Sequence, residues 1–193
     1  MSLQNLQDAL EEMVKDLYNA EKQLVKALPR MARAASSEEL KHAIEEHLTV
    51  TEGHVTRLEE VFSEMELPLR GKQCAGMEGL LEEGKEVLEK KGESNPAALD
   101  AALIAAAQKV EHYEMSAYGS ARAFAEQLGL MNVAKLLQQT LDEESHANET
   151  LTKIASDSVN AAAASEEDTE TVGAGRSAEP KRRNGRGRNS RNS

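Results

Sequence analysis

Tryptophan is absent from the 193 residues, and aromatic side chains make up only 3% of them. Runs of β-branched residues with period-two alternation are missing as well, so nothing in the sequence supports a sheet, and the ordered part is expected to be all helix. No apolar run approaches the length that spans a bilayer, and the N-terminal stretch MSLQNLQDALEEM has neither the basic start nor the apolar core of a signal peptide. A cytoplasmic protein with no membrane partner is the expectation. The single cysteine, Cys74, excludes an internal disulfide and fits a reducing compartment. Set in the irregular segment RGKQCAG, it reads as a packing or surface thiol rather than a nucleophile.

What is present is a chain of 39% hydrophobic and 30% charged residues with a formal net charge of −11. That is enough for one domain with a sizeable core. The charge is uneven, because Arg176, Lys181, Arg182, Arg183, Arg186, Arg188 and Arg191 crowd the last part of the chain. The remaining body is therefore strongly acidic, which argues against nucleic acid as its main ligand and suits metal cations. After about residue 156 almost nothing apolar remains beyond Ala and Val, and residues 157–193 are read as a disordered basic tail. No aromatic interrupts the arginines to stack on bases. A solvated tail is accordingly favoured over nucleic-acid contact.

Four long helical patterns and one short one can be drawn. The first runs from about 3 to 35, with Pro29 expected to kink it, and Ser36 with Glu39 supplies a capping box for the second, which ends near 65. Pro68, Gly71 and Gly76 then break the pattern before a short helix at about 77–91. A third long helix is expected from Pro96 to Leu128, closed by a left-handed Gly129, and Asn132 is expected to cap the fourth, about 133–156. Two tight connections and one long one imply two helical hairpins joined by a crossover, the plan of a four-helix bundle. The hairpins resemble copies of one another. Laying Leu10 on Leu103 also lays Leu17 on Val110, Ile44 on Leu137, Leu58 on Leu151, Glu21 on Glu114 and Thr51 on Glu144.

The helical stripes carry polar residues where a dry face is expected. At about 100° per residue, Leu40, Ile44, Leu58 and Val61 fall within about 60° of His47, and His54 lies about 20° from it. By the same phase Glu21 sits among Leu10, Val14, Leu17, Leu24 and Leu28. Glu114 sits among Leu103, Ala107, Val110 and Ala121 with Glu111 one turn back, and Glu144 among Val133, Leu137, Thr140 and Leu151. Buried carboxylates are costly unless a cation compensates them. Glu21, Glu111, Glu114, Glu144, His47 and His54 form the donor set of a dinuclear metal site in a bundle core, and four carboxylates neutralise two divalent ions. A metal-free network of Glu–His hydrogen bonds is the competing reading. Glu143-x-x-His146 is the i, i+3 pair of diiron bundles, but His146 lies about 200° from Glu144 by phase, so Glu143 and His146 are kept as alternative ligands.

LYNAEKQLVKALPRMA at 17–32, EEHLTVTEGHVTRLEEVF at 45–62, CAGMEGLLEEG at 74–84, VEHYEMSAYG at 110–119 and LLQQTLDEES at 136–145 resemble the YciE/YciF-type family of bacterial ferritin-like proteins. The resemblance implies an all-α, ferritin-like four-helix bundle with a short extra helix in the crossover, a homodimer, a dimetal centre and an association with stress responses. A carboxylate is common in that family where this chain has Val50. Two iron ions, or alternatively manganese, are the expected cofactors, with oxygen or peroxide as a small oxidant. Tyr18 and Tyr113, adjacent to the ligand positions, and Thr51 are expected to support the ligands by hydrogen bonds. The alternative is a stress-associated structural or interaction dimer. The sequence assigns no catalytic residue.

Overall fold

A computed structural model describes residues 3–165, and among these every regular element is helical. The order is α1 (Leu6–Ala34), α2 (Glu38–Glu64), α3 (Ala75–Glu89), α4 (Pro96–Gln127) and α5 (Met131–Ile154). A π-helical turn at Ala155–Val159 follows α5, and the helix then resumes to residue 165. α1 pairs with α2 and α4 with α5 as hairpins, which meet through α2 against α5 and α1 against α4. The crossover carries α3, which lies on α4 and α1. This is the expected bundle of two hairpins with a short helix in the long connection. No described helix is long and apolar enough to cross a membrane.

The core is split along the bundle axis. Leu24, Leu28, Leu40, Ile44, Ile104, Val110 and Leu151 belong to one apolar cluster. Leu10, Val14, Leu17, Leu58, Val61, Tyr118 and Leu137 belong to a second. In sequence order, Glu21 falls between the two clusters on α1, Thr51 and His54 on α2, and Glu111 and Glu114 on α4; all are buried. A polar layer thus separates two dry ones.

Two helix starts depart from expectation. Ser37, not Ser36, caps α2 by accepting from the Leu40 N–H. The Ser36 and Ser37 N–H groups donate to Asp100 of α4 at 2.9 and 2.7 Å, so a carboxylate from the other hairpin covers this helix start. Asn132 does not cap α5, which begins at Met131 after Leu130, and its amide donates instead to Glu64. Gly129 does adopt φ 74°, and the Leu130 and Gly129 N–H groups close back on Ala125 and Glu126. α1 runs unbroken through Pro29.

The boundary placed after residue 156 also moves. Val159 is 4% exposed and joins the cluster of Leu28, Ile104 and Ile154, because the extra residue of the π turn returns an apolar side chain to the core. The ordered helix therefore extends to residue 165, and the basic residues from Arg176 to Arg191 lie outside the described residues.

Asp100 is 2% exposed and holds two backbone donors that no other group satisfies. Asp100→Ala should lower stability by about 1–3 kcal/mol, the usual consequence of stranding buried donors. Urea unfolding read by circular dichroism measures it, and a change below a few tenths would show that water replaces the carboxylate.

Candidate metal centre

The polar layer is built by residues at the middle of each long helix. Glu21 of α1, Glu111 and Glu114 of α4, and Glu144 of α5 are each at most 2% exposed, and His54 of α2 is fully buried. Two triads of donors converge within it. Glu21, His54 and Glu144 form one, and His47, Glu111 and Glu144 the other. Glu144 belongs to both, so one carboxylate is shared between the two groups of donors.

The distances show close approach without mutual satisfaction. His54 Nδ1 lies 3.0 Å from Glu144 Oε1 and 3.4 Å from Glu21 Oε1. His47 Nε2 lies 3.5 Å from Glu111 Oε1 and 3.9 Å from Glu144 Oε2. None of these contacts has the direction of a hydrogen bond, and both ring nitrogens remain unpartnered. Glu21 Oε2, Glu111 Oε2 and both oxygens of Glu114 and of Glu144 are likewise buried without a partner. Native interiors seldom leave so many polar atoms orphaned. Oxygen and imidazole atoms that face one another unsatisfied fit a cation, or protons shared between the carboxylates and the rings.

Electrostatics follow from the crowding. Burial, reinforced by the Glu144 charge, raises the pKa of Glu111 well above the ordinary carboxylate value. Burial does the same to Glu114, reinforced by Glu21, Glu144 and Glu111. Glu21 is raised by burial although His54 and Tyr118 favour its charge. Glu144 moves the other way, since the His54 imidazolium overrides its burial. Burial also opposes charge on His54, but the Glu144 and Glu21 carboxylates win and hold its pKa at about 10. His47 is lowered by burial despite Glu144, leaving a neutral ring with a free nitrogen. The metal-free centre is therefore rich in protons that a bound cation would displace.

The expected supporting residues divide. Thr51 is buried and donates to the His47 carbonyl at 2.8 Å, one turn back on α2. Tyr18 does not reach a ligand: its hydroxyl donates to Glu59 and its ring packs edge-on against Phe62. Tyr113 also points away, donating to Asp16 at 2.8 Å with Cys74 Sγ 2.9 Å from its oxygen. That side of α4 faces α3, where Gly76 leaves room for the Tyr113 ring and the buried Cys74 caps the helix. Tyr118 is the tyrosine that touches the centre. Fully buried, it donates to Glu21 Oε1 at 2.5 Å. It lies one turn beyond Glu114, so the same helical phase would have found it.

Of the alternative ligands, His146 is exposed, as the phase indicates. Glu143 is partly buried, and its Oε2 lies 2.9 Å from His54 Nε2. Arg57, which the sequence reading passed over, donates to Glu143 and to Thr140.

A cleft of about 1100 Å³ runs between α2 and α5, and His47 and Glu111 line it together with Val50, Ala147 and Leu151. Val50 is 37% exposed there.

Residues 5–164 match the family described as a domain of unknown function, DUF892. The chain belongs to this family. Protein YciF of Escherichia coli K12 is 45% identical over 161 residues, covering 83% of this chain and 96% of that one. The crystal structure of the E. coli stress protein YciF superposes with a TM-score of 0.78 at 44% identity, covering 81% and 98% of the two chains. A protein from Rhodopseudomonas palustris, called YcfI, a putative structural protein, gives a TM-score of 0.76 at 36% identity over 80% and 97%. At 18% identity, a Xanthomonas campestris protein shares the fold alone, with a TM-score of 0.63 over 86% and 99%.

The pKa shifts set a pH dependence for the metal-free protein. His54, Glu21, Glu111 and Glu114 all have folded pKa values above their unfolded ones. Each holds its proton more tightly when folded, so each contribution is complete below the unfolded pKa and is lost as pH rises through the folded value. For His54 that window runs from 6.5 to about 10. In EDTA, the urea midpoint should fall between pH 7 and pH 10, above the range in which the lowered pKa of His47 acts in the opposite sense. A midpoint flat across that range would show that these protons are not held.

Proposed function

We propose that this DUF892 protein holds a dinuclear iron centre, or alternatively a manganese one, and uses it to react with oxygen or peroxide during stress. The observation that carries the reading is the layer of orphaned carboxylate and imidazole atoms contributed by all four long helices. Glu21, His54 and Glu144 would hold one ion, and His47, Glu111 and Glu144 the other, with Glu114 available to either. When bound, such a centre supplies one-electron redox chemistry with small oxidants. The chain's own part is to keep the donors dry between two apolar clusters and to admit small molecules along the cleft beside His47. Tyr118 donates its hydroxyl proton to Glu21 Oε1, which favours the ionised carboxylate and fixes its orientation.

A second reading follows from the Rhodopseudomonas relative, which is called structural. In it the same residues bind metal, and the metal only ties the four helices together. Turnover separates the two. The expected result is consumption of peroxide or oxygen in step with oxidation of Fe(II), whereas a structural ion would be bound and inert.

Protein reconstituted with Fe(II) should retain about two metals per chain, as bundle centres of this donor set do. Glu144→Ala should reduce occupancy most, since Glu144 belongs to both triads, and His146→Ala should leave it unchanged. Elemental analysis after desalting decides. Fewer than about half a metal per chain would remove the dinuclear reading.

Metal should also raise the melting temperature, by mass action on the folded state and by relief of the crowded carboxylates. Melts of apo and loaded protein that coincide at every metal concentration would favour the metal-free network instead.

A further inference from the structure

We propose that Glu143 and Arg57 act on the centre as positioning residues that present His54 Nδ1 to the metal, a proposal that rests on the metal reading above. His54 spans the width of the layer. Its Nδ1 edge faces Glu144 and Glu21, and its Nε2 edge meets Glu143 Oε2 at 2.9 Å. An imidazole directs its two nitrogens to different edges, so a carboxylate that accepts from Nε2 leaves Nδ1 as the free donor and sets the ring's orientation. Glu143 can do this only if its carboxylate is itself held.

The structure holds it from three directions. Arg57 Nη1 donates to Oε2 at 2.7 Å and Nη2 to Oε1 at 3.1 Å, a two-pronged contact, while the Gln139 amide donates to Oε1 at 3.1 Å. Arg57 Nη1 also donates to Thr140 Oγ1 at 2.7 Å, which anchors the guanidinium to α5. Both Glu143 oxygens are thereby engaged outside the centre. This accounts for the Glu143-x-x-His146 sequence failing to act as a ligand pair: Arg57 turns Glu143 onto the back of His54, and His146 is exposed.

A role confined to stability would join α2 to α5 and nothing more. The positioning role predicts in addition that the proton on His54 Nε2 depends on Glu143. In Glu143→Gln, Arg57 would hold the amide oxygen and the amide N–H₂ would face Nε2, which then serves as acceptor. The ring would offer the metal a protonated Nδ1.

Zinc(II), a diamagnetic probe, tests this on the full chain labelled with ¹⁵N-histidine. In the wild-type protein the expected spectrum shows His54 Nε2 protonated and Nδ1 metal-bound, and a chelator competition gives the zinc affinity. Glu143→Gln should lose the Nε2–H signal and weaken zinc by about 10–100-fold, the usual effect of removing a ligand's outer partner. His146→Ala, a change at an exposed side chain outside these contacts, should keep the signal. If Glu143→Gln does not fold by circular dichroism, Arg57→Lys carries the test, since it keeps the charge but loses the fork, and it should weaken zinc in the same direction. Wild-type affinity and an unchanged Nε2–H signal in the folded variant would overturn the positioning role alone. A wild-type protein that binds no zinc would overturn the metal reading and this proposal together.

Discussion

Four carboxylates placed in the dry interior of one bundle set the terms for everything around them. A buried, unpaired carboxylate costs several kcal/mol or takes up a proton, and here Glu21, Glu111, Glu114 and Glu144 are all nearly inaccessible. The chain meets this cost partly with protons, since Glu111 and Glu114 have strongly raised pKa values, and partly with the positive charge of His54. Neither measure satisfies the geometry. The orphaned oxygens remain. The two apolar clusters on either side must therefore supply enough burial to hold an unfavourable layer between them.

That division explains why the helices are long and why their connections are braced. A leucine-rich turn on each side of the polar layer requires helices of the span seen in α1 and α4. Misalignment by one turn would place Glu21 beside Leu24's neighbours rather than opposite His54. Asp100 fixes the register of α2 against α4 from one end of the bundle, and Arg57 ties α2 to α5 near the centre. Both are polar contacts between hairpins, where apolar packing alone would tolerate sliding.

The buried polar layer was legible in the sequence because helical phase is a local property. Leu10, Val14 and Leu17 define the buried face of α1 without reference to any other helix, and Glu21 follows from them. The same reasoning, carried one turn beyond Glu114, reaches Tyr118. The failures are tertiary. Tyr113 is adjacent to Glu114, and adjacent residues on a helix point about 100° apart; Tyr18, three residues from Glu21, lies only about 60° away in phase, and each tyrosine turns to a partner that only the assembled fold supplies. Ser36 lost the cap of α2 to Ser37 because Asp100, distant in sequence, occupies that helix start. Arg57 reads as an ordinary surface arginine until Glu143 and Thr140 are brought opposite it. Val159 reads as tail because its neighbours are small and polar, and only the π turn returns it to the core.

The two hairpins are similar but not interchangeable, and the difference decides where the centre opens. In the alignment that lays Glu21 on Glu114, His47 falls on Thr140 and His54 on Ala147. Both rings thus come from α2, and α5 offers small side chains at the matching positions. Where α5 has Ala147 rather than a ring, the surface between α2 and α5 is cut back, and Ala147 lines the cleft whose wall also carries His47 and Glu111. On the opposite side α1 and α4 meet over Glu21 and Tyr118, both fully buried. A symmetric pair of hairpins would enclose the layer equally from both sides. Placing both histidines on one hairpin leaves one side closed and the other cut back, so the same substitutions that make the polar layer asymmetric also leave it lining a cleft on one side alone among the described residues.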